Sequence, residues 1–307
     1  MKLWTLDDME SNAIELLRVM EPPAGYYLAF SGGKDSIVLH EIAKRSGVKF
    51  DAHYNITNVD PPEVVKFIRE NYPHVEFHRP EITMWRLIEK KLMPPTRIVR
   101  YCCDYLKERG GEGRIVLVGI RAIESTGRKK QGQIYVCGKT GKVLVKPIFS
   151  WLDNEVWEYI ASRRLAYPKL YDEGFTRLGC VGCPMAGPKA QRHQFDRWPK
   201  IGMAYIRAFQ RMADNRKAKG KDKDKDTQWE TGEDVMRWWC GWTPPSGSGP
   251  SMSKAGSPSV VMAGWQVSQA SRTAKPHSGV AKSSAIGKYR PMPRKVPMSK
   301  AGRKEAE

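Results

Sequence analysis

The sequence predicts an α/β protein built on a doubly wound parallel sheet. Short, uniformly apolar runs alternate with segments of helical apolar spacing over roughly the first 120 residues. The first of these runs, residues 26–30, leads through two glycines into a helical segment that starts at Ser36. Ligands of such sheets bind at the carboxyl ends of the strands. We therefore expect the functional site at that edge.

The other elements follow from the same patterns. An amphipathic helix is expected over residues 6–20 and ends at two prolines. Pro61 and Pro62 suit the first turn of another helix, because their missing N–H groups are not needed there. The predicted strands are residues 26–30, 48–54, 75–78 and 114–119, and the predicted helices are 36–43, 62–71, 82–91, one or two within 191–211, and 231–239.

The turn between the first strand and its helix carries the strongest chemical signal. It consists of Ser31, Gly32, Gly33, Lys34, Asp35 and Ser36. Two glycines permit a sharp turn and close approach of a ligand, and the helix amino-terminus offers unpaired N–H groups to an anion. Lys34 and the serine hydroxyls add a cation and polar groups. A phosphate chain is the expected ligand, although a strand-to-helix turn also contains Gly-Gly without any ligand.

The chain is strongly basic, with a formal charge of +19. Residues 246–307 hold eleven Lys or Arg and two Glu, so +9 lies there and +10 remains on residues 1–245. A basic body together with a basic tail favours a polyanion such as DNA or tRNA as partner. The alternative for the tail is an unselective solvated segment.

Composition divides the chain into three parts. We expect an amino-terminal helix in residues 1–23, a central domain in residues 24–243, and a Ser-, Gly- and Pro-rich disordered tail in residues 244–307. No run approaches the ~18 consecutive apolar residues of a membrane helix. Acids follow the first six residues, where a signal peptide would be apolar. The expectation is a soluble cytoplasmic protein with no membrane partner.

Four cysteines form two close pairs. Cys102 and Cys103 are adjacent, and Cys180 and Cys183 form a Cys-x-x-Cys followed by proline. Adjacent cysteines bridge each other only with strain, and cytosolic proteins rarely use structural disulfides. Four thiolates suit zinc or an iron–sulfur cluster. The alternative is four reduced cysteines without a metal.

Asp60 is expected at the same sheet edge, after the second strand. Its carboxylate would bind Mg²⁺ or accept a hydrogen bond from a ribose hydroxyl there. An aspartate before Pro-Pro is also an ordinary helix cap, and we favour the cap.

These strings resemble a known family. Residues 31–36 resemble the Ser-Gly-Gly-x-Asp-Ser loop of the PP-loop ATP pyrophosphatases, and the cysteine pairs resemble those of 4Fe-4S members of the phosphoadenosine phosphosulfate (PAPS) reductase family. The segment from Gly119 to Arg128 resembles the family's arginine-bearing segment, and the sequence near Trp157 its proline-initiated helix. The resemblance covers roughly residues 24–200. It implies the adenine nucleotide alpha-hydrolase type of Rossmann-like fold.

The resemblance also implies a site. Its nucleotide-binding residues would be Ser31, Gly32, Gly33, Lys34, Ser36, Asp60, Arg121 and Arg128, with Lys34 and Asp35 catalytic. Arg121 and Arg128 would hold phosphate or sulfate by two-point hydrogen bonds, unless they are solvated loop residues. Cys102, Cys103, Cys180 and Cys183 would hold a 4Fe-4S cluster, with zinc as the alternative.

Two activities of this superfamily compete. Members similar to the DNA phosphorothioation component and the tRNA thiolases use Mg²⁺ and ATP to adenylylate a nucleic acid for sulfur transfer, which also implies a sulfur donor such as a cysteine desulfurase. Sulfonucleotide (APS/PAPS) reductases instead use a thiolate within Glu-Cys-Gly-Leu/Ile-His. This chain has Cys240 and Gly241 between tryptophans, so we favour a packing role for Cys240. The intact loop favours the first activity. A non-catalytic nucleic-acid-binding protein with a structural metal is a third hypothesis.

Overall fold

The computed structural model describes residues 4–221 and 229–242. Within them the chain forms ten α-helices and one six-stranded sheet. The strands are β1 (Tyr26–Ala29), β2 (Phe50–Asn55), β3 (Glu76–His78), β4 (Ile115–Leu117), β5 (Ile134–Val136) and β6 (Val143–Val145). The helices are α1 (Leu6–Val19), α2 (Lys34–Ser46), α3 (Pro62–Asn71), α4 (Met84–Lys91), α5 (Tyr101–Leu106), α6 (Thr126–Gln131), α7 (Asp153–Ser162), α8 (Pro188–Arg197), α9 (Pro199–Ala218) and α10 (Gly232–Cys240).

The strand order is β3-β2-β1-β4-β6-β5. Neighbouring strands are parallel except β5, which runs antiparallel to β6 at the edge. β2 and β3 extend the sheet on one side of β1, and β4 begins the other side. The order therefore reverses between β1 and β4, which places a ligand-binding crevice at their carboxyl ends. The predicted doubly wound sheet is confirmed, with one antiparallel strand that was not predicted.

Local sequence accounts for the elements that lead to this crevice. Tyr26 and Leu28 of β1 are fully buried, because strands in the middle of a parallel sheet are covered on both faces. α1 begins at a capping box in which Thr5 and Asp8 exchange hydrogen bonds of 2.9 and 3.1 Å. α3 spans Pro62–Asn71 as predicted.

Four short elements were missed by sequence analysis. α5 and α6 have six residues each, and β5 and β6 have three. These lengths are too short for a hydrophobic period to be recognised. One of them matters for function, because α5 carries the first cysteine pair.

The segment after residue 187 closes the described core with aromatic residues. Phe195, Tyr205, Phe209 and Trp239 are buried and contact one another at ring-centroid distances of 4.9–6.3 Å. The aromatics of residues 191–211 therefore form a core face. Ile160 is also buried, whereas Trp157 is half-buried against two tyrosines.

One expectation lies outside the described residues. It is the disordered tail over residues 244–307. The division of the chain into three parts stays a prediction. As to membranes, none of the described helices combines the length and the apolar character of a transmembrane segment.

Candidate functional site

The glycine turn is held by a close contact with α3. Gly32 has a φ of +70°, and a Cβ placed on it would lie 2.8 Å from Ile68 Cδ1 and 3.0 Å from Val64 Cγ1. Only glycine combines this backbone angle with this approach. The turn is therefore fixed by packing before any ligand binds.

The two serines brace the turn. The Ser36 hydroxyl donates to the Gly33 carbonyl at 2.8 Å and accepts from the Ser31 N–H at 3.2 Å. The Ser31 hydroxyl lies 3.1 Å from the Ser36 hydroxyl. Ser36 is buried, while Ser31 is exposed. Ser31 is thus the serine that a ligand reaches first.

Lys34 lies between two carboxylates at the amino-terminus of α2. Its Nζ is 3.5 Å from Asp35 Oδ2 and 3.4 Å from Asp153 Oδ1, and the residue is 4% exposed. Its backbone N–H donates to the Tyr171 hydroxyl at 2.9 Å. Burial raises the pKa of Tyr171, so this hydroxyl stays protonated. The lysine is therefore preorganised by fixed groups of the protein.

Arg121 completes this charged network. Its Nε lies 2.7 Å from Asp35 Oδ1, its other guanidinium nitrogens contact Asp153 and the Trp151 carbonyl, and it is 2% exposed. Partial burial acts to raise the pKa of Asp153, but the Arg121 hydrogen bond and the Lys34 charge outweigh it and lower that pKa. Arg121 is not a solvated loop residue. It orients the acids around Lys34 rather than extending toward solvent as a free phosphate clamp.

The end of β4 comes close to the glycine loop. A Cβ on Gly119 would lie 3.0 Å from the Asp35 carbonyl carbon and 3.2 Å from the Ser36 nitrogen. This contact brings the Gly119–Arg128 segment against the loop, as a crevice between β1 and β4 requires. The predicted nucleotide residues of the two segments are therefore neighbours.

Arg128 is the more open of the two predicted arginines. Its side chain is 30% exposed and pairs with Glu124. Burial lowers its pKa, and the nearby charges of Arg177 and Arg100 lower it further, while Asp35 acts in the opposite direction. These interactions place three arginines beside the loop. They form a basic rim, defined here as Arg100, Arg128 and Arg177.

The four cysteines come together from two separated segments. Cys102 and Cys103 lie on α5, and Cys180 and Cys183 on the turn before α8, all half-buried. Cys102 interacts electrostatically with the other three. The Cys102 thiol donates to Cys103 and so lowers the pKa of Cys103. Among these four described cysteines, no three bring their sulfur atoms within 4.8 Å of one another.

Lys107 and Thr57 support the second cysteine pair. The charge of Cys180 raises the pKa of Lys107, whose ammonium also hydrogen-bonds that thiol. The Cys180 Sγ lies 3.5 Å from the Thr57 hydroxyl. The Val181 N–H donates to the Val59 carbonyl at 2.8 Å, which fastens this segment to the loop after β2. A cation thus faces the cysteines from one side.

Asp60 does not cap α3. The N-cap of that helix is Pro61, without a side-chain hydrogen bond. The Asp60 carboxylate instead accepts from the Thr57 N–H and the Thr57 hydroxyl, both at 2.7 Å, and thereby closes its own loop. The favoured helix-cap interpretation was wrong, because the backbone turns before the helix begins. Asp60 acts electrostatically on Lys107, and both Asp60 and Cys180 act on the Tyr54 hydroxyl, so these groups are neighbours.

Cys240 is separate from the other cysteines. It is fully buried in α10, and burial raises its pKa to about 12. Its neighbour Trp239 is buried too and donates to the Pro95 carbonyl at 2.5 Å. Cys240 therefore packs in the core, as the flanking tryptophans indicate.

Sequence analysis missed three residues of the site. Asp153 was seen only as part of a helix start, Tyr171 only as part of the segment before the second cysteine pair, and Lys107 not at all. Asp153 follows β6 at the same sheet edge, but β6 was itself too short to be predicted. Tyr171 and Lys107 reach the site from connecting segments, and no local sequence pattern predicts such contacts.

Comparisons with known proteins found a matching family model and several similar proteins. The model of the phosphoadenosine phosphosulfate reductase domain matches residues 25–186. An uncharacterized Methanocaldococcus jannaschii protein, MJ0066, is 29% identical over 58% of this chain, which covers 40% of that relative. The chain thus spans less than half of that relative's length.

Two characterised proteins are also similar. The adenosine 5'-phosphosulfate reductase of Oceanobacillus iheyensis is 23% identical, over 64% of this chain and 88% of the length of that reductase. The solved phosphoadenylyl-sulfate reductase of Candida auris, in a phosphate complex, is 18% identical with a TM-score of 0.44, over 59% of this chain and 97% of that one.

Proposed function

The chain belongs to the phosphoadenosine phosphosulfate reductase domain family, and we propose that it binds ATP on the glycine loop and cleaves it at the α-phosphate. In this proposal an acceptor oxygen attacks the α-phosphorus, the bond to the bridging oxygen breaks, and pyrophosphate leaves with the electron pair. The acceptor is then an adenylate, activated for replacement of that oxygen by sulfur.

Burial of Cys240 is the observation that favours this reaction over sulfonucleotide reduction. A reductase of the kind described above attacks the sulfur of its substrate with a thiolate near the carboxyl end. Cys240 is fully buried, and its pKa is raised to about 12 by that burial. A thiol in this state is not a nucleophile. The reductase reaction therefore lacks its expected attacking group among the described residues.

The loop supplies what cleavage of ATP needs. The amino-terminus of α2 favours anions, and Lys34 would stabilise the charge that develops on pyrophosphate. Asp35 and Asp153 hold the lysine in place, and Arg121 holds both acids. Asp35 is the carboxylate that would hold Mg²⁺, since magnesium sites at phosphates commonly use one or two carboxylates, and the ion would supply positive charge there. On binding, the nucleotide takes over the Lys34 N–H from the Tyr171 hydroxyl.

Cys102, Cys103, Cys180 and Cys183 would hold a 4Fe-4S cluster, in which each thiolate binds a different iron. A single zinc ion on the same four thiolates is the alternative. A cluster bound there would hold or relay sulfur beside the nucleotide, and Lys107 would balance the negative charge of its ligands.

Nucleic acid is the proposed acceptor, either DNA or tRNA. The basic rim lies beside the loop, and Arg100 also acts on Cys103, so the rim spans the gap between the loop and the cysteines. Arg100 and Arg177 are exposed. Together with the net charge of +19, this surface suits a phosphate backbone. A separate sulfur donor such as a cysteine desulfurase would supply the sulfur.

Two product assays on one anaerobic preparation test the proposal. The protein is incubated with Mg-ATP and bulk tRNA or DNA, and separately with adenylylsulfate and a thiol reductant. We expect pyrophosphate in the first assay and no sulfite in the second. Cys240→Ala should retain pyrophosphate release within about threefold, since removing a buried thiol alters packing rather than chemistry.

The opposite pattern would contradict the proposal. Sulfite from adenylylsulfate without pyrophosphate from ATP, with the sulfite lost in Cys240→Ala, would assign the reductase reaction. Circular dichroism of the variant separates this outcome from misfolding.

A further inference from the structure

A second cluster of ligating side chains lies away from both the glycine loop and the cysteines. His53 of β2 and Glu76 and His78 of β3 are on one face of the sheet, because alternate residues of a strand share a face. In the parallel register His53 is paired with Glu76, and Asn55 with His78. Two neighbouring strands therefore bring two imidazoles and a carboxylate together at one end of the sheet order.

The distances suit a single ion. His53 Nδ1 lies 2.8 Å from His78 Nε2 and 3.5 Å from Glu76 Oε2, and one ligand atom from each residue lies within 4.8 Å of the others. Ligands about 2.1 Å from a tetrahedral ion are roughly 3.4 Å apart. Among the described residues, this is the one group of three or more His, Cys, Asp or Glu whose ligand atoms all lie within 4.8 Å of one another.

The surroundings orient His53 as a ligand. Its Nε2 faces the Asp51 carboxylate, which Arg114 contacts through two nitrogens. An ionised carboxylate only accepts hydrogen bonds, so His53 carries its proton on Nε2 and presents the lone pair of Nδ1 to the cluster. Tyr27 stacks on the His53 ring at 4.0 Å and 5°. A carboxylate behind a histidine is the usual outer-shell arrangement of metal-binding imidazoles.

We propose that His53, Glu76 and His78 bind a divalent transition metal, with Zn²⁺ as the occupant and water in the open position. Two histidines and one carboxylate are a known donor set for zinc and for other first-row ions. Glu76 and His78 are partly exposed, with side-chain exposures of 66% and 36%, which gives the ion access. The metal would join the edge strand β3 to β2. This site is independent of the proposed ATP chemistry.

The chain contains its own comparison. His40 and His74 also approach each other, at 2.7 Å between their Nε2 atoms. No carboxylate completes that pair within the described residues. His74 is exposed and lies two residues before the start of β3. It therefore offers a matched substitution that removes a paired histidine without touching the proposed site.

Titration with Co²⁺ tests the proposal, because cobalt replaces zinc and reports its ligands by its spectrum. We expect one equivalent of Co²⁺ to bind the chain with weak visible bands typical of nitrogen and oxygen ligands. A strong near-ultraviolet band would instead report thiolate ligands. His78→Ala and Glu76→Gln should weaken this binding by at least about 10- to 100-fold, the effect of losing an outer-shell partner alone. His74→Ala should bind as the unchanged protein does.

Two results would overturn the proposal. One is Co²⁺ binding that shows only thiolate bands, and the other is unchanged nitrogen–oxygen binding in His78→Ala. Metal-free melting curves of these three variants and of Asp51→Asn show whether each is folded. Asp51→Asn keeps all three ligands and should weaken Co²⁺ binding by about 10- to 100-fold, which a purely structural histidine pair would not show.

Discussion

Lys34 is a buried cation whose partners are arranged around it before any nucleotide arrives. Its 4% exposure and its two carboxylate neighbours keep Nζ near the amino-terminus of α2. Water competes weakly in such a position, so the ammonium acts more strongly on a phosphate than a solvated lysine does. The lysine should therefore matter more for turnover than for folding.

Replacing Lys34 with methionine should lower the rate of pyrophosphate release by about 100-fold or more, as loss of one preorganised donor typically does. The measurement is single-turnover pyrophosphate release at saturating ATP. Lys44→Met on the exposed side of the same helix is the control and should keep full rate. Equal rates for both variants would show that Lys34 does not act on the leaving group.

Gly32 allows a test of the turn itself. Gly32→Ala should destabilise the fold by about 1–3 kcal/mol, because the positive φ and the contacts with Ile68 and Val64 both penalise a Cβ. Gly47→Ala shares a φ of +77° but meets nothing within 4 Å, so it measures the backbone cost alone. Urea unfolding compares the two. Equal losses would mean that the α3 contact does not define the turn.

α1 is attached to the domain by a buried acid. Glu10 is 5% exposed, accepts from the Tyr159 hydroxyl at 2.5 Å, and pairs with Arg163 and with Arg45, the latter at 2.6 Å. Burial acts to raise its pKa, but the Tyr159 and Arg163 hydrogen bonds outweigh it and hold the pKa below the usual 4.5. Because the folded-state pKa is the lower one, the stabilisation is fully present above pH 4.5 and is lost as the pH falls from there through the folded-state pKa.

Glu10→Gln should destabilise the protein by about 2 kcal/mol at pH 7, the typical value of hydrogen bonds to a charged group. The difference from the unchanged protein should shrink as the pH falls below 4.5. Denaturant titrations at several pH values measure it. Glu15→Gln, exposed on the same helix, should have little effect. A pH-independent difference would mean that packing, not charge, attaches α1.

Helices and strands could be predicted where the periodic pattern of apolar residues was long enough to be recognised. Residues 62–71 were assigned correctly because prolines mark the start of α3 and apolar spacing marks its face. The short α5 has neither signal, so the helix that carries Cys102 and Cys103 was missed. The antiparallel β5 was missed for the same reason, since three residues carry no pattern of their own.

The site could be predicted where it lies on one continuous string. Residues 31–36 indicated a phosphate-binding loop, because the glycines, the lysine and the serines are adjacent in the sequence and depend only on local backbone geometry. Asp153 and Tyr171 join the loop from more than 100 residues away, through contacts that only the folded chain creates. Asp60 was assigned to the wrong hydrogen bonds for a related reason, because its partner is set by the path of the loop after β2.

The molecule as a whole combines the glycine loop, four cysteines and a basic rim on one sheet edge and its adjoining loops. The order β3-β2-β1-β4-β6-β5 brings the loop after β1 beside the segment after β4. Arg100 and Arg128 connect this crevice to α5. An acceptor bound on the rim would meet the nucleotide and the cysteines in succession. In the proposed reaction, this arrangement cleaves ATP at its α-phosphate.

The most direct test follows the label of ATP carrying ³²P at the α-phosphate. The protein is incubated with this ATP, Mg²⁺ and bulk tRNA or DNA, and the nucleotide products are separated by chromatography. Cleavage at the α-phosphate predicts radioactivity in the adenylylated acceptor and in AMP. Radioactive ADP, or ATP that stays intact with every acceptor while adenylylsulfate yields sulfite, would contradict the claim.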